Sequence, residues 1–243
     1  MDLFFSGWLF LVLLVGITGA LLIVGALMDY RRRSVNAFLF VPIMIMGVIA
    51  SIESASPVEF IVLSVLAFAM SYLDPSQPTY IFFSVIFIAS GLVILYMRNL
   101  YGFEFLIIAI IHAMGYRQTY FGIGDIKAMI AVIFSFTGIN VRLVSGVLSY
   151  NGLIANGVSI LVDIVIASSV FLMLVWIVLK HSSIAEGGLN FRIPFTEGMQ
   201  KKLGKKFGVK NLSGKKYLAY RVPFLIPIAL GFFLFVLVGP WAY

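Results

Sequence analysis

Apolar residues in this chain come in long unbroken runs, and polar residues are gathered into short breaks between them. The runs at 9–28, 81–97 and 153–179 reach the roughly 20 apolar residues needed to cross about 30 Å of hydrocarbon. Counting runs between breaks predicts spans near 4–28, 37–52, 58–73, 79–97, 103–115, 125–138, 153–180 and 222–240,. The breaks at 31–34, 53–57, 74–78, 98–102 and 115–124 carry Arg, Pro, Asp and Gly, the residues that punctuate helices,. The predicted fold is therefore all-α, a polytopic integral membrane helical bundle of about eight transmembrane helices. A six-span bundle, in which 58–115 crosses only once overall, is the alternative.

Composition agrees with lipid as the solvent. The 243 residues are 62% hydrophobic and 11% charged, with a mean hydropathy of +1.09, whereas soluble domains run about 45–50% apolar and about 25% charged. One transmembrane domain is expected over 1–243. The first apolar run has no basic stretch before it and is followed by Tyr30-Arg31-Arg32-Arg33 instead of a small-residue cleavage site, so it reads as a retained span,. The absence of cysteine rules out disulfides, thiolate metal sites and a cysteine nucleophile,.

Charge adds a topology. Ten of the seventeen basic residues lie between Lys180 and Arg221, so the net charge of +7 is a positive-inside signal and not a nucleic-acid footprint,. If this loop, at about 181–221, and Arg31 to Arg33 both face the cytoplasm, an even number of spans separates them and both termini lie outside. Within the loop, Phe195, Met199, Leu203 and Phe207 recur every fourth residue, with Lys201, Lys202, Lys205 and Lys206 off that stripe. That pattern predicts a basic helix lying in the interface, attracted to anionic lipid.

In such a chain each carboxylate is either placed at an interface or kept for a function. Asp2, Glu53, Glu59 and Asp74 fall at span ends and need only solvent. Asp29 ends the first span beside three arginines, and by itself reads as a boundary residue paired with Arg32 or Arg33. Asp125 closes Phe121-Gly122-Ile123-Gly124-Asp125 where one apolar run stops and the next begins. By itself it reads as a helix N-cap after a turn whose two glycines relax the backbone. Together they are two carboxylates on different spans, expected at one membrane face. Two such groups cannot both ionise, and they share a proton. The ionised one can activate a water against a carbonyl carbon while the protonated one donates to the carbonyl oxygen, with no metal or organic cofactor required.

Two segments carry a family likeness. Asp29-Tyr30-Arg31-Arg32-Arg33-Ser34-Val35-Asn36 resembles, loosely, the first motif of the type IV prepilin peptidases, among them the archaeal preflagellin (pre-archaellin) peptidases of the Gly-x-Gly-Asp aspartic proteases. Gly122-Ile123-Gly124-Asp125-Ile126-Lys127-Ala128-Met129 is similar to their second motif, including the lysine two residues after the aspartate. The stretch from Arg221 through Pro223 to Pro227 resembles the proline-containing start of their final helix. The likeness implies that Asp29 and Asp125 are the catalytic dyad and that Lys127 tunes or positions the second carboxylate, with Gly122, Gly124, Arg33 and Asn36 in supporting places. It also implies an endopeptidase in the cell membrane, working at the cytoplasmic face on prepilin, pre-archaellin or other pilin-like precursors. Val35 stands where the family has a proline, and the interval between the aspartates is longer than in compact archaeal members. Bacterial relatives that also methylate carry a cysteine-rich insertion; none is present, so peptidase activity without methyltransferase activity is expected.

Two rivals use the same residues. A presenilin-like intramembrane protease also uses Gly-x-Gly-Asp, but its first aspartate follows a tyrosine within a span, whereas Asp29 follows Met28. An ion- or proton-coupled transporter would use Asp29, Asp163 and the glycine-broken start at Gly122, and would show inverted repeats, which this sequence lacks. A purely structural subunit would leave the glycine–aspartate motif idle. Asp163, with Asn156 on the same face, is expected to be a structural polar residue hydrogen-bonded to a neighbouring helix, and His112, three residues before the glycine-rich turn, is expected to be structural.

Overall fold

The computed structural model describes residues 2–32, 35–116, 122–143, 147–149, 156–181, 192–194, 207–212, 215–220 and 223–239. Among them are eight α-helices: α1 Asp2–Arg32, α2 Val41–Glu53, α3 Val58–Met70, α4 Pro78–Tyr96, α5 Tyr101–Met114, α6 Ile123–Phe136, α7 Asn156–His181 and α8 Leu225–Val238. A 3-10 turn, Ala37–Phe40, precedes α2. Prolines mark several starts: Pro57 flanks α3, and Pro42 and Pro78 open α2 and α4, where a missing N–H costs nothing,.

Three helices are long and apolar enough to cross a bilayer, over Gly7–Arg32, Pro78–Tyr96 and Asn156–Val175. The other five are 13 or 14 residues long.

Helix α6 is the axis of the bundle. Every residue from Ile126 to Phe136 is buried, a pattern that leaves it no polar face and requires neighbours all round. Those neighbours are α2, α3, α5, α7, α8 and the 3-10 turn, while α1 packs on α8 and α2, and α4 on α5 and α3. The core is correspondingly aromatic, with Phe136 edge-on to Phe232 at 5.1 Å and Phe60 5.6 Å from Phe134.

The described residues are mostly helical, as the hydropathy predicts, with two small antiparallel sheets in addition. Strands β1 Asn140–Arg142 and β2 Val147–Ser149 form one antiparallel pair, and β3 Arg192–Pro194, β4 Phe207–Leu212 and β5 Lys215–Tyr220 form a second sheet in the order β3-β5-β4. Phe207 therefore opens a strand and does not continue an interfacial helix; Phe195, Met199 and Leu203 lie outside the described residues. The β4–β5 register runs from Phe207 with Tyr220 to Leu212 with Lys215, a two-residue alternation that a four-residue periodicity does not predict.

At the end of the bundle where α5 begins, Glu104 is fully buried. Its Oε2 accepts the Gly157 N–H at 2.9 Å and its Oε1 accepts the same group at 3.2 Å, satisfying a free donor in the first turn of α7,. Asn156 beside it donates to the carbonyls of Phe136, at 2.7 Å, and Ile139. Glu104→Leu, which orphans the Gly157 N–H, is expected to cost about 1–3 kcal/mol of stability, and Glu104→Gln, which keeps an acceptor, much less. Thermal unfolding in detergent reads the difference, and equal midpoints for the two variants would show that the contact contributes nothing.

Candidate active site

The opposite end of the bundle collects both sequence motifs. Asp29 lies in the last turn of α1, and its Oδ2 accepts the backbone N–H of Leu225, the first residue of α8, at 3.4 Å. Asp125 lies in the first turn of α6, and its Oδ2 accepts the Gly122 N–H at 2.9 Å. The two carboxylates are near enough for the charge on Asp29 to act on Asp125. Each is partly open at the surface, and each meets a backbone donor at a helix amino end, where negative charge is favoured.

The glycines serve a different purpose from the one their spacing suggests. Gly122 has φ −71° and ψ 156°, an extended conformation open to any residue, and the described glycines with positive φ are Gly138 and Gly239. What Gly122 provides is room, since a Cβ there would stand 3.2 Å from Asp125 Oδ2. A Cβ on Gly124 would stand 3.6 Å from the Cβ of Val35, an ordinary contact. Gly124 thus marks where the first motif packs on the second.

From Val35 the first motif runs into Asn36, whose Oδ1 accepts the Phe38 N–H at 3.0 Å and so caps the 3-10 turn. Arg33 lies outside the described residues. Phe38 packs against Tyr72 with ring centroids 5.3 Å apart, and Phe68 meets Tyr72 from another side at 5.7 Å. Lys127 is 2% exposed, and its ammonium sits 3.1 Å from the centre of the Tyr72 ring. A cation on an aromatic face in a desolvated place gains roughly 2 kcal/mol or more. Lys127 is thus engaged with the α3–α4 connection, a contact that no spacing in the sequence announces; Tyr72 and the α8 start at Leu225 are the neighbours that sequence reasoning missed.

Other polar residues are committed elsewhere. Asp74, in the α3–α4 connection, accepts the Ser76 N–H at 2.9 Å and its hydroxyl at 2.7 Å, and these bonds hold its carboxyl below the usual carboxylate range. His112 is buried, stacked on Tyr80 at 4.4 Å and bonded through Nδ1 to Ser84 Oγ at 2.9 Å, which ties α5 to α4. Asp163 is fully buried within α7, next to Ile164, where α7 crosses α8.

The packing of the motifs can be tested without reference to activity. Cβ atoms about 3.5–4.5 Å apart suit a disulfide, and the chain has no cysteine of its own. Val35→Cys/Gly124→Cys is expected to close a disulfide under mild oxidation, seen as loss of maleimide labelling that a reductant restores. Labelling that persists after oxidation would mean that the two motifs do not meet. No family model, no curated protein and no solved structure matches this chain.

Proposed function

We propose that the chain is a membrane-embedded aspartic endopeptidase that removes the short basic leader of prepilin- or pre-archaellin-like precursors at the cytoplasmic membrane face, without methyltransferase activity. In this reading all eight helices cross the membrane and both termini lie outside. The observation that carries it is the meeting of Asp29 and Asp125, from helices far apart in sequence, at one end of the bundle and within electrostatic reach.

A pair of this kind holds one proton between its two members. The ionised carboxylate takes a proton from water as the oxygen attacks the scissile carbonyl carbon, and the protonated carboxyl donates to the carbonyl oxygen. Collapse of the tetrahedral intermediate returns a proton to the leaving amine. A site at a helix end suits the substrate, because the bond between a basic leader and an apolar helix lies at the interface. There the backbone can unwind in water, without exposing unpaired groups to hydrocarbon.

The test is cleavage of a synthetic precursor, basic leader plus apolar helix, by the purified protein in liposomes. A single cut between leader and helix supports the reading. Failure to cut any leader tested overturns it and makes ion-coupled transport through Asp29 and Asp163 the reading to pursue.

A further inference from the structure

We infer that Tyr72 is a positioning residue for the dyad: its ring holds the Lys127 ammonium, and this contact pins the rotation of α6 that presents Asp125 to Asp29. The inference rests on the proposed dyad for its catalytic meaning and on the packing alone for its structural part.

Two residues along an α-helix are separated by about 200° around the axis, so Asp125 and Lys127 project to opposite sides of α6. One side is held by the Gly122 N–H on Asp125 Oδ2 at 2.9 Å. The other is held by the Lys127 ammonium on Tyr72, at 3.1 Å from the ring centre. Gly122 is exposed and Ile123, Gly124 and Asp125 are partly so, whereas burial is complete from Ile126 onward. The turn carrying Asp125 is therefore the most exposed part of α6, and Lys127, two residues on, is buried.

Apolar packing below Lys127 tolerates small rotations, because dispersion contacts are non-directional. An ammonium over a ring face is directional, and moving it off the ring leaves a buried charge without compensation. Tyr72 is in turn fixed by Phe38 and Phe68, and Phe38 belongs to the turn capped by Asn36. The chain of contacts thus runs from the first motif through Tyr72 to the second motif, on the side away from the carboxylates.

The test compares Tyr72→Leu, Tyr72→Phe and Lys127→Met in two assays. In precursor cleavage, Tyr72→Leu and Lys127→Met are expected to lower kcat about 10- to 100-fold with KM little changed, as a misplaced catalytic group does. The double variant should be no worse than either single one, since both remove one contact. Tyr72→Phe, which keeps the ring face, should restore wild-type kcat. In the second assay, disulfide closure in the Val35→Cys/Gly124→Cys background should slow several-fold with Tyr72→Leu and not with Tyr72→Phe.

Wild-type kcat and closure rate in Tyr72→Leu would overturn the inference, as would a Tyr72→Phe loss equal to that of Tyr72→Leu. Should the wild type cut no precursor, the peptidase reading fails, while the closure rates still decide whether Tyr72 pins α6.

Discussion

Asp29→Asn and Asp125→Asn are each expected to lower precursor cleavage by at least about 10²- to 10⁴-fold, the range for losing a general acid or base, while inserting and folding normally. The folding half follows from the contacts. An asparagine side-chain oxygen can accept the Leu225 N–H in place of Asp29 Oδ2, and the Gly122 N–H in place of Asp125 Oδ2. The activity half follows from proton accounting: with one carboxylate gone, nothing remains to hold the second role, so the double variant should be no worse than either single. The wild-type rate should be bell-shaped in pH. It should fall on the acid side when both carboxyls are protonated and no base remains, and on the alkaline side when both are ionised and no acid remains. Appreciable activity in either correctly inserted Asn variant would end the aspartic mechanism.

The largest effect on stability is expected at the crossing of α7 and α8. A Cβ on Gly231 would lie 2.6 Å from both the Cα and the N of Ile164, backbone atoms that cannot yield as a side-chain tip does. Within a membrane, close approach of small residues is what holds helices together, because lipid supplies no hydrophobic drive between them. Gly231→Val should therefore push α8 away from α7, at a cost of about 1–3 kcal/mol or more, and lower the thermal midpoint in detergent. Since α8 carries the Leu225 N–H that meets Asp29, cleavage should fall with it. Gly16, where an added Cβ meets nothing within 4 Å, provides the control: Gly16→Ala should be silent. A Gly231→Val protein melting with the wild type would refute the close crossing.

Much of this architecture can be read from one dimension, for an identifiable reason. Each of the eight apolar runs became a helix, because segments of that hydropathy satisfy their backbone internally, and the Pro- and Asp-bearing breaks stop them. Asp29 and Asp125 both sit at boundaries of apolar runs, and in the fold they lie within electrostatic reach of one another.

What escaped the sequence is whatever depends on lateral packing. Tyr72 looks like an unremarkable aromatic at a run end; its partner Lys127 comes to it only through the packing of α3 against α6. Glu104 carries no signal of its role in its surrounding sequence: it is fully buried against Gly157 of a helix that begins much later. The β4–β5 pairing is obscured by the apolar stripe at 195–207, whose four-residue period is that of a helix and not of a strand.

The brevity of α6 bears on the membrane itself. Fourteen residues make a helix about 21 Å long, some 9 Å short of a typical hydrocarbon layer. The helices α2, α3, α5 and α8 share this shortfall, while α1, α4 and α7 do not. In the proposed eight-span arrangement, a bilayer around such an uneven set is subject to hydrophobic mismatch: beside the short helices it thins or draws headgroups inward, at a fraction of a kcal/mol per Å. Bilayers of shorter acyl chains should then suit this protein better than thick, sterol-rich ones, and the depth at which water meets the end of α6 becomes a property of the lipid as much as of the chain.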